Sequence, residues 1–325
     1  MNAVMSISVN GKKGEDGWVV ETVGLTKRFG ERVAVDGVDL CVPRGVAFGY
    51  LGPNGAGKTT LIRMLLGLTA ATAGTMRVLG RAVPAERADA LARVGAIVEE
   101  PRFHGYLTGR QNLGIVAAAR ERDGHWRIDA ALERTGLADR ADEKVKRYSL
   151  GMRQRLGVAR SLISDPELLL LDEPTNGLDP AGILEFRGMV RTLVDEGRTV
   201  VLSSHLLDEV EKICDQVAIV DHGRVVAQGA IEDIATVREK RILIATTDND
   251  RAAQSIRGHP VVGSVAAVDG RLDVTLLPDV EAYASAGEIN RLLVESGITV
   301  YRLEPARASL EDRFLEITSR LGESA

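Results

Sequence analysis

The spacing of apolar and polar positions changes period several times along the chain, and each change marks an element. Residues 18–45 alternate, as VVETVGLTKRF, then Gly30-Glu31-Arg32, then VAVDGVDLCV. Successive strand side chains point to opposite faces, so this alternation around a glycine turn predicts antiparallel strands in a hairpin. Residues 46–51 are continuously apolar, as a strand covered on both faces must be, and lead into a glycine-rich loop. Helical spacing follows over 59–68, then a short strand at 75–79 and a helix from the Pro84 region to about Arg93. Residues 102–165 read as mostly helical, with helices over 111–122, 129–135 and 149–164, the last capped by Ser149. The run Leu168–Leu171 is a buried parallel strand. A helix at 183–196, a strand at 199–203, a helix at 206–214 and a strand at 217–220 complete the alternation. Strands alternating with helices make a mostly parallel α/β sheet.

After about residue 230 the order becomes strand, helix, two strands in a hairpin turning at Asp269-Gly270, helix, strand. The segments are 241–246, 250–257, 262–277, 282–296 and 298–302, with a closing helix at 309–320. That order predicts a small α+β domain of the ferredoxin-like kind. Residues 1–16 contain no apolar run of signal-peptide length and read as a disordered tail. The expected division is therefore a tail at 1–16, an α/β domain at 17–230 with a helical subdomain at about 102–165, and a small α+β domain at 231–325.

Composition narrows the partners. The chain has 325 residues, 45% hydrophobic, which is enough core for two domains. A net charge of −5 lacks the basic footprint of a nucleic-acid binder, so no nucleic-acid partner is expected. No stretch approaches the roughly 18 apolar residues of a membrane span. If the protein works at a membrane, a separate subunit supplies the spans. Cys41 and Cys214 are not spaced as a metal or redox pair and read as plain thiols of a reducing compartment.

Two motifs carry chemistry on their own. Gly52-Pro53-Asn54-Gly55-Ala56-Gly57-Lys58-Thr59 satisfies GxxxxGK[ST] between a predicted strand and helix, the context of a P-loop. Its glycines let backbone N–H groups turn around a phosphate, and the following helix adds its positive end. Lys58 can reach the β- and γ-phosphates, and the Thr59 hydroxyl, with Thr60 behind it, faces a Mg2+ ion. In LLLLDEP, Asp172 ends a buried strand where it can hold Mg2+, and Glu173 can polarise an attacking water.

Over about residues 18–229 these motifs and those that follow resemble, in order, the nucleotide-binding domain of ABC transporters. The resemblance implies ATP and Mg2+ as ligands. YSLGMRQR, residues 148–155, resembles the family's signature helix, which implies that Ser149 and Gly151 grip the ATP of a partner copy. It departs from the common LSGGQ at Tyr148, Leu150 and Met152. NGLD, ending at Asp179, resembles the loop along the dimer interface. His205 matches the switch histidine, implying contact with the γ-phosphate and with Glu173. Phe29 in LTKRFG matches the adenine-stacking aromatic. VGAIVEEP matches the glutamine loop with Glu99 in place of the glutamine, and a carboxylate there can approach Mg2+.

Glu99, the following PRFHGYLTGRQNL and the signature together resemble exporters of bacitracin- and lantibiotic-type peptides. The implied assembly is two head-to-tail ATPase copies on the cytoplasmic face of a membrane, docked to an integral permease near Phe103, His104 and Tyr106. Two other readings are open: a soluble ABC ATPase of ribosome, assembly or DNA work, or an importer ATPase. The lone ATPase unit, the lack of a coiled-coil insertion and the α+β tail favour the exporter. The stretch 308–318 resembles the tail of such exporters.

Overall fold

The computed structural model describes residues 17–120, 125–235, 241–268 and 270–306. It divides into two compact units, the first ending at Ile231 and the second beginning at Glu232.

The first unit opens with the hairpin β1 (Val20–Phe29) and β2 (Arg32–Val42), then β3 (Ala47–Leu51), α1 (Lys58–Leu65), β4 (Ala73–Val78), β5 (Arg81–Val83), α2 (Arg87–Leu91) and β6 (Val94–Ile97). The helices α3 (Gly109–Arg120), α4 (His125–Arg134) and α5 (Leu150–Leu162) follow. The unit returns to the sheet through β7 (Leu168–Leu171), α6 (Pro180–Asp195), β8 (Thr199–Ser204), α7 (Leu207–Ile213), β9 (Gln216–Asp221) and β10 (Arg224–Ala230), and the short helix α8 (Ile231–Ala235) begins at the boundary between the units.

Two sheets result. One is antiparallel, in the order β2-β1-β4-β5. The other has the order β10-β9-β3-β8-β7-β6, parallel except for β10 on its edge. Every residue of β3, β7 and β8 is buried, which is why β3 and β7 read as apolar runs rather than alternating ones. Phe48, Tyr50, Leu61, Met64 and Leu170 fill one cluster between the sheets and α1.

The second unit is β11 (Arg241–Thr246), α9 (Asn249–Ile256), β12 (Val262–Val268), β13 (Arg271–Leu276), α10 (Ala282–Glu295) and β14 (Val300–Ala306). Its sheet is antiparallel in the order β12-β13-β11-β14. That is the ferredoxin-like arrangement, the first strand lying between the third and the fourth. Ile242, Ile244, Leu272 and Val274 meet Ala253, Ile256, Ile289 and Leu293 of the helices in one aliphatic cluster.

Differences from the expected elements have local causes. The helix expected from the Pro84 region is only Arg87–Leu91, because β5 occupies residues 81–83 first. The strand β6 was not anticipated. It is four residues long and contains Gly95, where a Cβ would stand 2.8 Å from Leu169 Cδ2 and 2.9 Å from Ser161 Cβ. The glycine admits α5 against the sheet at the cost of strand propensity. The edge strand β10 was also missed, although His222 and Gly223, both with positive φ, form the two-residue hairpin turn that announces it. The last strand runs later than expected, and the closing helix at 309–320 lies outside the described residues, as does the 1–16 tail.

Candidate active site

In the central sheet β3, β8 and β7 lie side by side, so the loops leaving their carboxyl ends converge. Such a crevice is where open α/β sheets bind ligands. The three loops carry Gly52 to Gly57, His205, and Asp172 with Glu173. The Gly52 N–H donates to the Ser204 carbonyl at 3.2 Å and locks the first loop to the second. Two positions in the loop admit only glycine. A Cβ at Gly52 would stand 2.3 Å from the Val220 carbonyl oxygen. At Gly57, where φ is 96°, it would stand 2.1 Å from that of Ala34. Ala56 is buried and its N–H closes the turn on the Pro53 carbonyl at 3.2 Å. The helix α1 starts at Lys58, so its unpaired first-turn N–H groups and positive end face the loop.

Lys58 is 6% exposed, and a buried ammonium is costly unless paired. Its Nζ donates to the carbonyls of Gly52 at 2.7 Å and Pro53 at 3.1 Å and lies 3.2 Å from Glu173 Oε1. The other Glu173 oxygen lies 2.8 Å from His205 Nδ1. The Glu173 N–H donates to Ser203 Oγ at 2.9 Å, and that hydroxyl donates to Asp172 Oδ1 at 2.6 Å. Glu173 also sits in the left-handed region, with φ 47°, a conformation that costs about 1–2 kcal/mol for a residue with a Cβ. The carboxylate is thus fixed by a cation on one oxygen and an imidazole on the other. A base oriented by a third group is the arrangement that activates a nucleophile. Ser203 is a functional residue the sequence reading missed. A hydroxyl at the end of a fully buried strand was the available signal.

A cavity of about 370 Å3 lies over this network. It is lined by Asn54, Gly55, Gly57, Lys58, Thr59 and Thr60, together with Phe29, Arg32 and Glu173. The β1–β2 hairpin brings Phe29 here, 52% exposed, with Lys27 Nζ 4.8 Å from its ring centroid. An exposed aromatic face beside a phosphate loop suits a purine. Arg32 was also missed: its Nη2 lies 3.5 Å from the Gly55 carbonyl, at the mouth of the loop.

Other expected residues form separate groups. Ser149 caps α5, its Oγ accepting from the Met152 N–H at 3.2 Å, and Asp179 caps α6, accepting from the Gly182 N–H at 3.1 Å. The two caps are neighbours, since a Cβ on Gly151 would lie 3.6 Å from Leu178 and 4.0 Å from Gly182. None of Ser149, Gly151 and Asp179 lines the cavity above Lys58. Glu99, which the sequence offers as a metal ligand, follows β6. Its carboxylate pairs with Arg63 of α1, it adopts φ 68°, and it does not line the cavity. Among the described residues no cluster of three His, Cys, Asp or Glu side chains could cage a metal.

Comparison with known proteins agrees with this geometry. The family model for ABC transporters matches residues 35–176. An uncharacterized ABC transporter ATP-binding protein of Bacillus subtilis, YhcH, is 39% identical over 94% of this chain and 97% of its own length. The bacitracin transport ATP-binding protein BcrA of Bacillus licheniformis is 38% identical over 92% and 97%. The daunorubicin resistance ATP-binding protein DrrA3 of Streptomyces coeruleorubidus is 38% identical over 91% and 94%. Among solved structures, CbiO1 of Clostridium perfringens, part of the ABC transporter complex CbiONQ, superposes with a TM-score of 0.63 at 26% identity, over 67% of this chain and 90% of that one. The chain belongs to the ABC transporter family, as a subunit that binds and hydrolyses ATP.

Proposed function

We propose that this subunit powers the export of an antibiotic peptide, drug or lipid through a separate integral membrane permease, as one of two ATPase copies on the cytoplasmic face. The observation that carries the reading is the extent of similarity. BcrA and DrrA3 match both units of this chain, whereas the solved cassette CbiO1 matches 67% of it.

In this reading the adenine stacks on Phe29, and the triphosphate enters the cradle of Gly52, Pro53, Asn54, Gly55, Ala56 and Gly57. The Lys58 ammonium exchanges part of its bonding to Glu173 for phosphate oxygens, which frees that carboxylate to take a proton from water. His205 holds the second Glu173 oxygen and so keeps the base aimed. Mg2+ fits the donors present: the Thr59 hydroxyl, with Thr60 next to it, and the buried Asp172 carboxylate, whose Oδ1 is already oriented by Ser203. When bound, such an ion neutralises charge building on the phosphates. Ser149 and Gly151, with the Asp179 cap beside them, offer a hydroxyl and a helix start to the γ-phosphate held by the other copy. ATP that bridges two copies binds the closed pair better than either alone, so closure and hydrolysis can do mechanical work. Glu99, paired with Arg63 in the nucleotide-free chain, is the further carboxylate that could approach the ion once nucleotide is bound.

The test is a tagged chain recovered from mild-detergent extracts of its host's membranes. A stoichiometric multi-span protein, with ATPase activity stimulated by the exported compound, is the expected result. Recovery only from the soluble fraction, with ribosomes or assembly factors attached, overturns the exporter reading in favour of a soluble ABC ATPase.

A further inference from the structure

The helix α5 begins with half of a cap. Ser149 Oγ accepts from the Met152 N–H at 3.2 Å, which satisfies one of the free donors of the first turn. A capping serine with Glu or Gln three residues later forms a reciprocal box, in which the longer side chain returns a bond to the N–H of the cap residue. The common LSGGQ has that spacing, with its glutamine third after the serine. Here the position holds Met152, whose thioether is a weak acceptor, so the returning half is missing. The chain entering α5 needs another restraint if Ser149 is to hold one position.

Tyr148 supplies it. The residue lies in extended backbone between a short 3-10 turn (Val145–Arg147) and Ser149, and it is 3% exposed. Its hydroxyl donates to the Arg140 carbonyl at 2.7 Å. Burial, with Glu143 nearby, pushes its pKa up, so the hydroxyl stays protonated and keeps donating. The acceptor is fixed in turn. The N–H groups of Gly109 and Arg110 donate to the carbonyls of Glu143 and Ala141 at 3.2 and 2.9 Å. Those of Val145 and Lys146 donate to the carbonyls of Leu107 and Gly105 at 2.9 and 3.0 Å. These bonds clamp residues 141–146 to the segment that leads into α3. The ring has a fitted seat, since a Cβ on Gly109 would collide with the hydroxyl oxygen and stand 3.2 Å from Cζ. The Tyr148 carbonyl accepts from Arg153 Nη1 of α5 at 2.8 Å. Tyr148 is thus tied by its side chain to a clamped segment and by its backbone to the helix it introduces. Leucine, the residue of the common motif, can make only the apolar part of this contact.

We propose that Tyr148 is a positioning residue for Ser149. The bond from its hydroxyl to Arg140 replaces the returning half of the capping box and fixes the serine hydroxyl where the γ-phosphate of the partner copy arrives. This rests on the two-copy reading above and deepens it, by naming what holds the gripping serine in a signature without the glutamine. Tyr148 does not line the cavity over Lys58, so its effect falls on the pairing of two copies and not on nucleotide binding by one. A serine ordered before it meets the phosphate lowers the entropic cost of closing the pair.

The test follows ATP-driven pairing by sedimentation in a Glu173→Gln background. The affinity of the separated chain for a fluorescent ATP analogue and the melting temperature are measured beside it. Tyr148→Phe keeps the ring and removes only the hydroxyl. Its pairing should be at least about tenfold weaker, since the closed pair uses the contact twice, with analogue affinity within about twofold. Met152→Gln supplies the missing half of the box and should restore pairing to Tyr148→Phe. Gly109→Ala pushes the hydroxyl off its seat, so it should reproduce the loss in the chain that keeps Tyr148 and add little to Tyr148→Phe. A tyrosine that only fills space gives a different pattern, because Phe fills the same space and pairs as well. Equal pairing, or a loss that Met152→Gln leaves in place, overturns the proposal and leaves the two-copy reading intact. Loss of analogue binding by the separated Tyr148→Phe chain also overturns it, by moving the effect to that copy's own site. No ATP-driven pairing of the Glu173→Gln chain overturns both. Should Tyr148→Phe melt early, Gly109→Ala with and without Met152→Gln decides.

Discussion

In the first unit Lys58 at the start of α1, Asp172 just after β7 and Ser203 in β8 are buried; Lys58 pairs with Glu173, Glu173 with His205, and Ser203 accepts from the Glu173 N–H and donates to Asp172. In the second unit the buried set around Ile242, Leu272, Val274 and Ile289 is aliphatic, and its buried carboxylate, Asp273, is neutralised by Arg241 on the neighbouring strand. Both units have apolar cores, yet among the described residues it is the first that holds buried charge in a form that a ligand can rearrange. A Lys whose partners are two carbonyls and the Glu173 carboxylate can trade one of them for phosphate. An Arg–Asp pair across two strands holds the strands together and has nothing to trade. The difference places the exchangeable buried charge in the first unit.

The largest expected effect tests the first half of that contrast. Glu173→Gln keeps the shape and the strained backbone but removes the base. General-base contributions run to about 10²–10⁴-fold, so steady-state phosphate release should fall by at least about 100-fold while ATP binding, followed by a fluorescent analogue, persists. Turnover within tenfold of the native chain would mean that the network does not supply the base.

Next is Ile289→Ala in α10, the centre of the aliphatic cluster. Emptying such a site costs about 2–5 kcal/mol, enough to unfold a marginal domain. Calorimetry should show a transition moved down by several degrees or more, with ATP turnover held near the native rate at temperatures where both units are folded. A parallel loss of turnover would break the contrast by making the second unit part of the catalytic machinery.

Much of this was legible beforehand, for reasons particular residues make plain. Gly52 and Gly57 are demanded by close backbone approach, and Lys58 and Asp172 stand at fixed spacing from a strand end, features that a linear motif preserves. The runs at residues 47–51 and 168–171 are apolar because both faces of the sheet are covered, so their burial could be read directly. Ser203 and Arg32 could not be read this way. Ser203 matters because β8 lies beside β7, and Arg32 because the β1–β2 hairpin reaches over Gly55. Those are facts of tertiary placement that no local period encodes. Short β6 and edge strand β10 were lost for a different reason. Gly95 lowers strand propensity for the sake of helix packing, and β10 lacks the alternation that marks strands with one buried face.

A smaller effect separates the two cap residues from the cavity. Asp179→Ala removes the side chain that accepts from the Gly182 N–H, and loss of a helix cap costs about 1 kcal/mol. The melting temperature of the first unit should fall by a few degrees. ATP binding to the isolated chain should stay within about twofold, because Asp179 does not line the cavity over Lys58. A large loss of binding in the monomer would place Asp179 in the same site as Lys58 and erase the distinction between the two ends of the unit.

The smallest expected effect concerns Glu99, where the residue type and the geometry point in different directions. A carboxylate in place of glutamine invites a metal role, but the side chain pairs with Arg63 at the surface and is itself largely exposed. Exposed ion pairs are worth about 0–1 kcal/mol, since water solvates both partners and ordering two long side chains costs entropy. Glu99→Gln should therefore change stability by less than about 1 kcal/mol. The dependence of turnover on Mg2+ concentration is the decisive readout, because an ion pair to Arg63 leaves it alone and a metal ligand does not. An unshifted Mg2+ midpoint with turnover equal to or above native assigns Glu99 to the Arg63 contact. A midpoint moved to higher Mg2+ by an order of magnitude would show that the carboxylate leaves Arg63 and joins Thr59 and Asp172 once nucleotide is bound. In that case charge in the first unit is rearranged over a wider area than the Lys58–Glu173–His205 network.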